Sequence, residues 1–200
     1  MGYGRPARVI FERLAAAGTR QSIWSTLGNL RMQQIPGAAL VAPLEDDRWP
    51  QVDPSLLQSV GDAYARALRR NSHNVAALSG AALMSLMQQE PERAFRLLEQ
   101  AMVIQDWLIP IRLLAGLAAE RAGYRSTSDQ QREQWWRRAE EHYTYLQGRS
   151  DCPVDARVRL ALLYARQNRL QQALVTARQA IERGVPPPFA ARLKQRISGL

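Results

Sequence analysis

The side chains capable of covalent or metal chemistry are few and scattered along this chain. His73 and His142 stand far apart, and Cys152, the sole cysteine, has no histidine or second cysteine near it at metal-ligand spacing. A single thiol forms no internal disulfide, so cysteine usage leaves the redox compartment undecided. Gly2-Tyr3-Gly4 lacks the third glycine and the preceding strand of a phosphate loop. No Gly-x-Ser-x-Gly elbow is present. Glu45-Asp46-Asp47 would attract a cation, but three carboxylates in a proline-rich stretch are usually solvated charge, and Glu140-Glu141 reads as a solvated helix face. The expectation is a chain with no catalytic residue, metal or cofactor.

What remains to carry a function is basic and aromatic. The 200 residues hold 27 basic and 18 acidic side chains, a net charge of +9, and Lys194 is the sole lysine. Arginine presents a planar fork that suits carboxylates and phosphates, which points to an acidic partner, RNA or an anionic lipid surface. Against that, the arginines are spread along every segment, with only local pairs such as Arg69–Arg70 and Arg137–Arg138. A GC-rich genome would write them this way. Trp135 and Trp136 are adjacent, and neighbours on a helix point about 100° apart, so at most one faces a core. The other is a candidate anchor for a protein partner, or a plate for a base with Arg132, Arg137 and Arg138 beside it, or a plug on the neighbouring loop.

Helices must position these groups. Hydrophobic residues at 46% and charged residues at 22% suit a folded chain with a core. Ala94, Leu98 and Ala101 recur at i, i+4 and i+7, the spacing of one helix face, after Pro91 at a helix start. Asp53-Pro54 reads as a cap followed by a first helical position. The longest nearly apolar run, Trp107 to Ala119, contains Arg112 and is too short to span a bilayer. Arg5, Arg8, Glu12 and Arg13 break any signal-peptide pattern at the start. A cytoplasmic location is therefore favoured, with membrane association only through a partner or a longer parent chain.

The spacing also resembles a known repeat. Trp24, Leu27 and Gly28 stand at W-x2-L-G spacing, and Ala94, Leu98 and Ala101 at A-x3-L-x2-A spacing, on one ruler of about 34 residues. These are similar to the opening and closing helices of a tetratricopeptide repeat (TPR) unit. On that ruler residues 6–19 are a closing half unit with Ala7, Phe11 and Leu14. Residues 21–73 are a unit with an insertion at 35–53 and the stripe Val60, Tyr64 and Ala67. Residues 74–106 are the cleanest unit. Residues 107–148 form a unit with a longer loop at 123–130, an opening helix from Trp107 to Arg121 ended by Gly123, and the stripe Ala139, Tyr143 and Leu146. Residues 151–185 carry Leu160, Ala161 and Tyr164, then Ala173, Ala177 and Ala180; a capping helix at 188–198 follows. The resemblance implies an all-α fold, an α-solenoid of antiparallel helix hairpins in a single repeat domain.

It also implies a use. In TPR-like stacks the opening helices line a concave groove, which here places Ser79, Leu83, Leu86, Met87, Leu113, Leu117, Arg121, Val158, Leu162 and Arg166 on it. The set is mostly apolar, so it fits a partner's amphipathic helix better than an acidic carboxyl terminus. The chain's own insertion would fill it equally well. The implied function is a noncatalytic adaptor or scaffold subunit that binds another protein there or through Trp135 and Trp136. The alternatives are an RNA- or anionic-surface-binding module, or the soluble tail of a larger membrane enzyme such as one in surface-polysaccharide assembly.

Overall fold

Asp53 starts the first fully described helix. Its carboxylate accepts a 2.8 Å hydrogen bond from the Ser55 amide, and Pro54 occupies the first turn, where a missing N–H costs nothing. That bond holds the Asp53 carboxyl below its ordinary value. The computed structural model describes Gly28 and residues 53–185 and 187–198. The half unit at 6–19, the opening helix around Trp24 apart from Gly28, and the insertion up to residue 52 lie outside the described residues.

The chain divides at Asp106/Trp107 into two compact units. In the first, α1 (Pro54–Arg70) packs on α2 (Val75–Met87), and α2 packs on α3 (Pro91–Ile104). The second holds α4 (Ile109–Arg125), α5 (Asp129–Gln147), α6 (Val154–Arg166), α7 (Leu170–Glu182) and α8 (Pro187–Ser198). There α4 packs on α5, α5 on α6, α6 on α7, and α8 on both α6 and α7. No strand occurs among the described residues.

The stripes bury as their spacing demands. Val60 and Ala67, Ala94, Leu98 and Ala101, and Ala139, Tyr143 and Leu146 are all fully buried, with Tyr64 almost so. Small residues let the paired helices approach closely, and large rings fill what remains. Gly28 is helical and buried, and a Cβ built on it would stand 2.6 Å from the Tyr64 ring. Gly80 abuts the same ring and leaves room for no side chain either. The two clean hairpins turn identically. Gln89 and Asn168 both take left-handed backbone, with φ of 61° and 60°. Glu90 N–H then bonds Ser85 O at 2.7 Å, and Arg169 N–H bonds Tyr164 O at 2.9 Å, the same 6→1 closure in each.

One expected unit differs. The opening helix does not stop at Gly123 but runs to Arg125, and only residues 126–128 separate it from α5. The expected long loop at 123–130 is thus mostly helix. Gly123 is a seat rather than a stop: the Trp136 indole lies where its side chain would be. Lengthening both helices, to 17 and 19 residues, accounts for the late stripe on α5 without an extended loop.

Candidate functional site

The polar focus of the second unit is Glu120, a lone acid in the small-residue run of α4. It is 3% exposed. The Tyr143 hydroxyl on α5 donates to Glu120 Oε2 at 2.9 Å, and Arg159 on α6 donates to the same oxygen at 3.3 Å. Tyr124, one turn along α4, donates to Oε1 at 3.0 Å, and Arg166 on α6 donates there at 3.2 Å. Both carboxylate oxygens are thus shared between two donors, and three helices meet on one side chain. Burial, together with the Glu120 charge, pushes the Tyr143 hydroxyl well above its ordinary value, so it stays a donor. Burial alone would lower Arg159, but Tyr143 and Glu120 beside it hold it above its ordinary value.

Aromatic rings extend this hub. The Arg166 guanidinium lies 4.4 Å from the Tyr124 ring centre, and Tyr124 meets Trp136 edge to face at 5.9 Å. Outside the hub, Arg169 makes a two-pronged pair with Glu140 at 2.6 and 2.9 Å and covers the Tyr164 ring at 4.3 Å. That bond raises Arg169 above its usual value. Arg157, also buried, donates to the Gln147 carbonyl at 3.3 Å.

The residues expected to line a groove are placed unevenly. Leu83, Leu86, Met87, Leu117, Val158 and Leu162 are each 8% exposed or less, packed into their units as the structure stands. Ser79, Leu113, Arg121 and Arg166 are half-buried and still reach solvent. Of the tryptophan pair, Trp136 packs against Gly123 and Tyr124, whereas Trp135 lies under the Arg138 guanidinium, 4.8 Å from its ring centre. Both are half-buried. Sequence reasoning missed Glu120, Tyr124 and Arg159. The signal was one carboxylate inside Leu113–Ala122 with tyrosine four residues on, where a solvated acid has no reason to be.

Within the Glu120 hub the ionisable groups satisfy one another. Among the described residues no set of three or more His, Cys, Asp or Glu is placed to hold a metal ion. No described helix is long and apolar enough to cross a membrane.

Paired helices with glycine seats, aromatic rings and left-handed turns make an all-α fold of antiparallel helix hairpins, and that fold is TPR-like. The chain is similar in fold to a thermophilic TPR protein of Thermus thermophilus, with a TM-score of 0.60 and 16% identity over 96% of this chain and 88% of that one. A TPR protein of Parabacteroides merdae aligns with a TM-score of 0.44 and 12% identity, over 96% of this chain and 77% of its own. No protein-family model and no curated protein sequence matches the chain.

Proposed function

We propose that the chain is a noncatalytic interaction module, an adaptor or scaffold subunit that grips a helix or extended segment of another protein. The observation that carries this reading is the closure of the Glu120 cluster. Catalytic clusters keep a base or donor turned toward the space a substrate enters. Here four donors from three helices saturate one carboxylate, so the cluster's work is to hold α4 and α6 side by side. Those are the two opening helices of the second unit, and they carry Leu113, Arg121 and Arg166, three of the four half-buried members of the expected groove. A partner segment laid along them would meet the apolar Leu113 toward one end and the cations Arg121 and Arg166 toward the other, with Trp135 on α5 as the alternative anchor.

A second reading, an RNA- or anionic-surface-binding module, is favoured by the net charge of +9. Photo-crosslinking separates the two. The full chain carrying Leu113→benzoylphenylalanine, expressed in the native host, should yield a discrete protein adduct. The same probe at exposed Gln100 of α3 should not. Adducts with nucleic acid alone, or none at position 113, would overturn the proposal.

A further inference from the structure

Helix α7 buries Ala173, Thr176, Ala177 and Ala180 along one side, and its exposed side carries three apolar side chains among the polar Gln171, Gln172, Arg178, Gln179 and Glu182. Leu170 is 40% exposed, Leu174 47% and Val175 55%. Leu170 and Leu174 stand one turn apart, Val175 adjoins Leu174, and exposed Arg178 continues the row by another turn. No other helix among the described residues bears more than one exposed large apolar side chain. Single exposed apolar residues are ordinary, but Leu170 and Leu174 on one i, i+4 row, with Val175 about 100° round the helix beside them, form a patch against which a second helix packs.

Charge selects the occupant. From Trp107 onward the chain holds sixteen basic and eight acidic residues, a net charge of +8, whereas the first unit holds eleven against ten. Four of those eight carboxylates, Glu120, Asp129, Glu140 and Asp151, are already ion-paired with arginines. Between Leu170 and Leu200 there are five cations and a single carboxylate, Glu182. Arg178 and Arg183 are exposed, and α8, which packs on α7, contributes three of the five.

We infer that the outer face of α7 docks an acidic amphipathic helix of a partner protein. Its apolar side packs on Leu170, Leu174 and Val175, while its flanking carboxylates meet Arg178 and Arg183. Apolar contact supplies affinity, and the cations select the sign of the partner and speed its approach. An interfacial membrane helix gives a whole apolar face to the lipid, whereas α7 already buries its alanine side within the unit, and single-stranded RNA stacks on rings rather than on leucine and valine. The face belongs to a closing helix, so the inference stands apart from the groove reading.

The test is fluorescence anisotropy of the full chain against a peptide of roughly 20 residues, with leucines at i, i+3, i+4 and i+7 and glutamates on both flanks. Saturable binding is expected, absent for a scrambled peptide of equal composition. Leu174→Gln with Val175→Thr should weaken it at least about tenfold, and Arg178→Glu should weaken it and flatten its salt dependence. Should the double variant lose helicity, Leu170→Gln alone serves in its place. No binding, equal binding of the scrambled peptide, or unaltered binding by the variants overturns the inference. So does a loss in the same variants of binding to phosphatidylserine vesicles or oligouridylate while the peptide stays unbound, or a loss of self-association under the same condition.

Discussion

Tyr143 donates its hydroxyl proton to Glu120 at 2.9 Å while its ring closes over Gly116, one turn earlier than the glutamate on the same helix. The glycine and the hydrogen bond are two halves of one fit: the ring reaches the carboxylate only because nothing projects at position 116. Gly116→Ala gains about 1 kcal/mol of helix propensity but forces the ring outward, an overpacking cost of roughly 1–3 kcal/mol. Urea denaturation should show a net loss. Gly61→Ala is the control, because a Cβ there meets nothing within 4 Å; that variant should gain about 0.5–1 kcal/mol. Equal behaviour of the two would refute the fit.

Removing the carboxylate leaves two arginines and two hydroxyls without their acceptor. Glu120→Ala should cost about 3–5 kcal/mol, the range for breaking a buried pair on one side only. Adding Arg159→Met removes the stranded charge, so the double variant should be more stable than the sum of the singles predicts. Strict additivity in a urea double-mutant cycle would mean the two side chains are not coupled.

Acid sensitivity should concentrate on His142. Burial, with the charge of Arg112 in addition, lowers its pKa to about 4. The unfolded chain takes up that proton near pH 6.5 and the folded chain only near 4. Stability from this group is therefore complete above pH 6.5 and falls through the window down to about 4, by at most roughly 3 kcal/mol. Urea midpoints between pH 7 and 4.5 should fall in the native chain, and His142→Gln should remove much of that slope. An unchanged slope would mean that His142 is accessible to protons when folded.

Burial also separates two leucines of the opening helix that spacing places on one surface. Leu117 is 2% exposed, whereas Leu113 is half-buried. Leu117→Glu should unfold the second unit, since an unpaired carboxylate in that site costs several kcal/mol (roughly 3–5). Leu113→Glu should keep its helical circular dichroism. Comparable melting of both variants would place Leu117 at a surface after all.

Much of the scaffold was legible because its signals are local. Asp53-Pro54 caps α1 as its residue types require, and Asn168 turns left-handed where a short polar side chain tolerates it. Alanine stripes at Ala94 and Ala173 bury because spacing alone puts them on one helix face. Gly123 misled for the same reason. A glycine near a helix end commonly stops it, and only the ring of Trp136, thirteen residues further on, explains why this one does not.

The expected groove was less legible. Side chains on one face of an opening helix share a direction, but whether they meet solvent depends on what the neighbouring helices bring. Leu86 and Leu113 occupy equally plausible places, yet one is 2% exposed and the other half-buried. Arg159 sits between Val158 and Leu160 with nothing local to mark it as buried, since its acceptor lies 39 residues earlier.

By itself, then, the order of residues settled where helices begin, turn and present small side chains, because caps, left-handed turns and the 3.6-residue period act within a few residues. Tertiary structure alone decided that Glu120 is a shared acceptor, that Trp136 packs inward while Trp135 lies under an arginine, and which leucines remain reachable. Those outcomes depend on solvent exclusion and on partners brought together from three helices, and neither is written in any one stretch of chain.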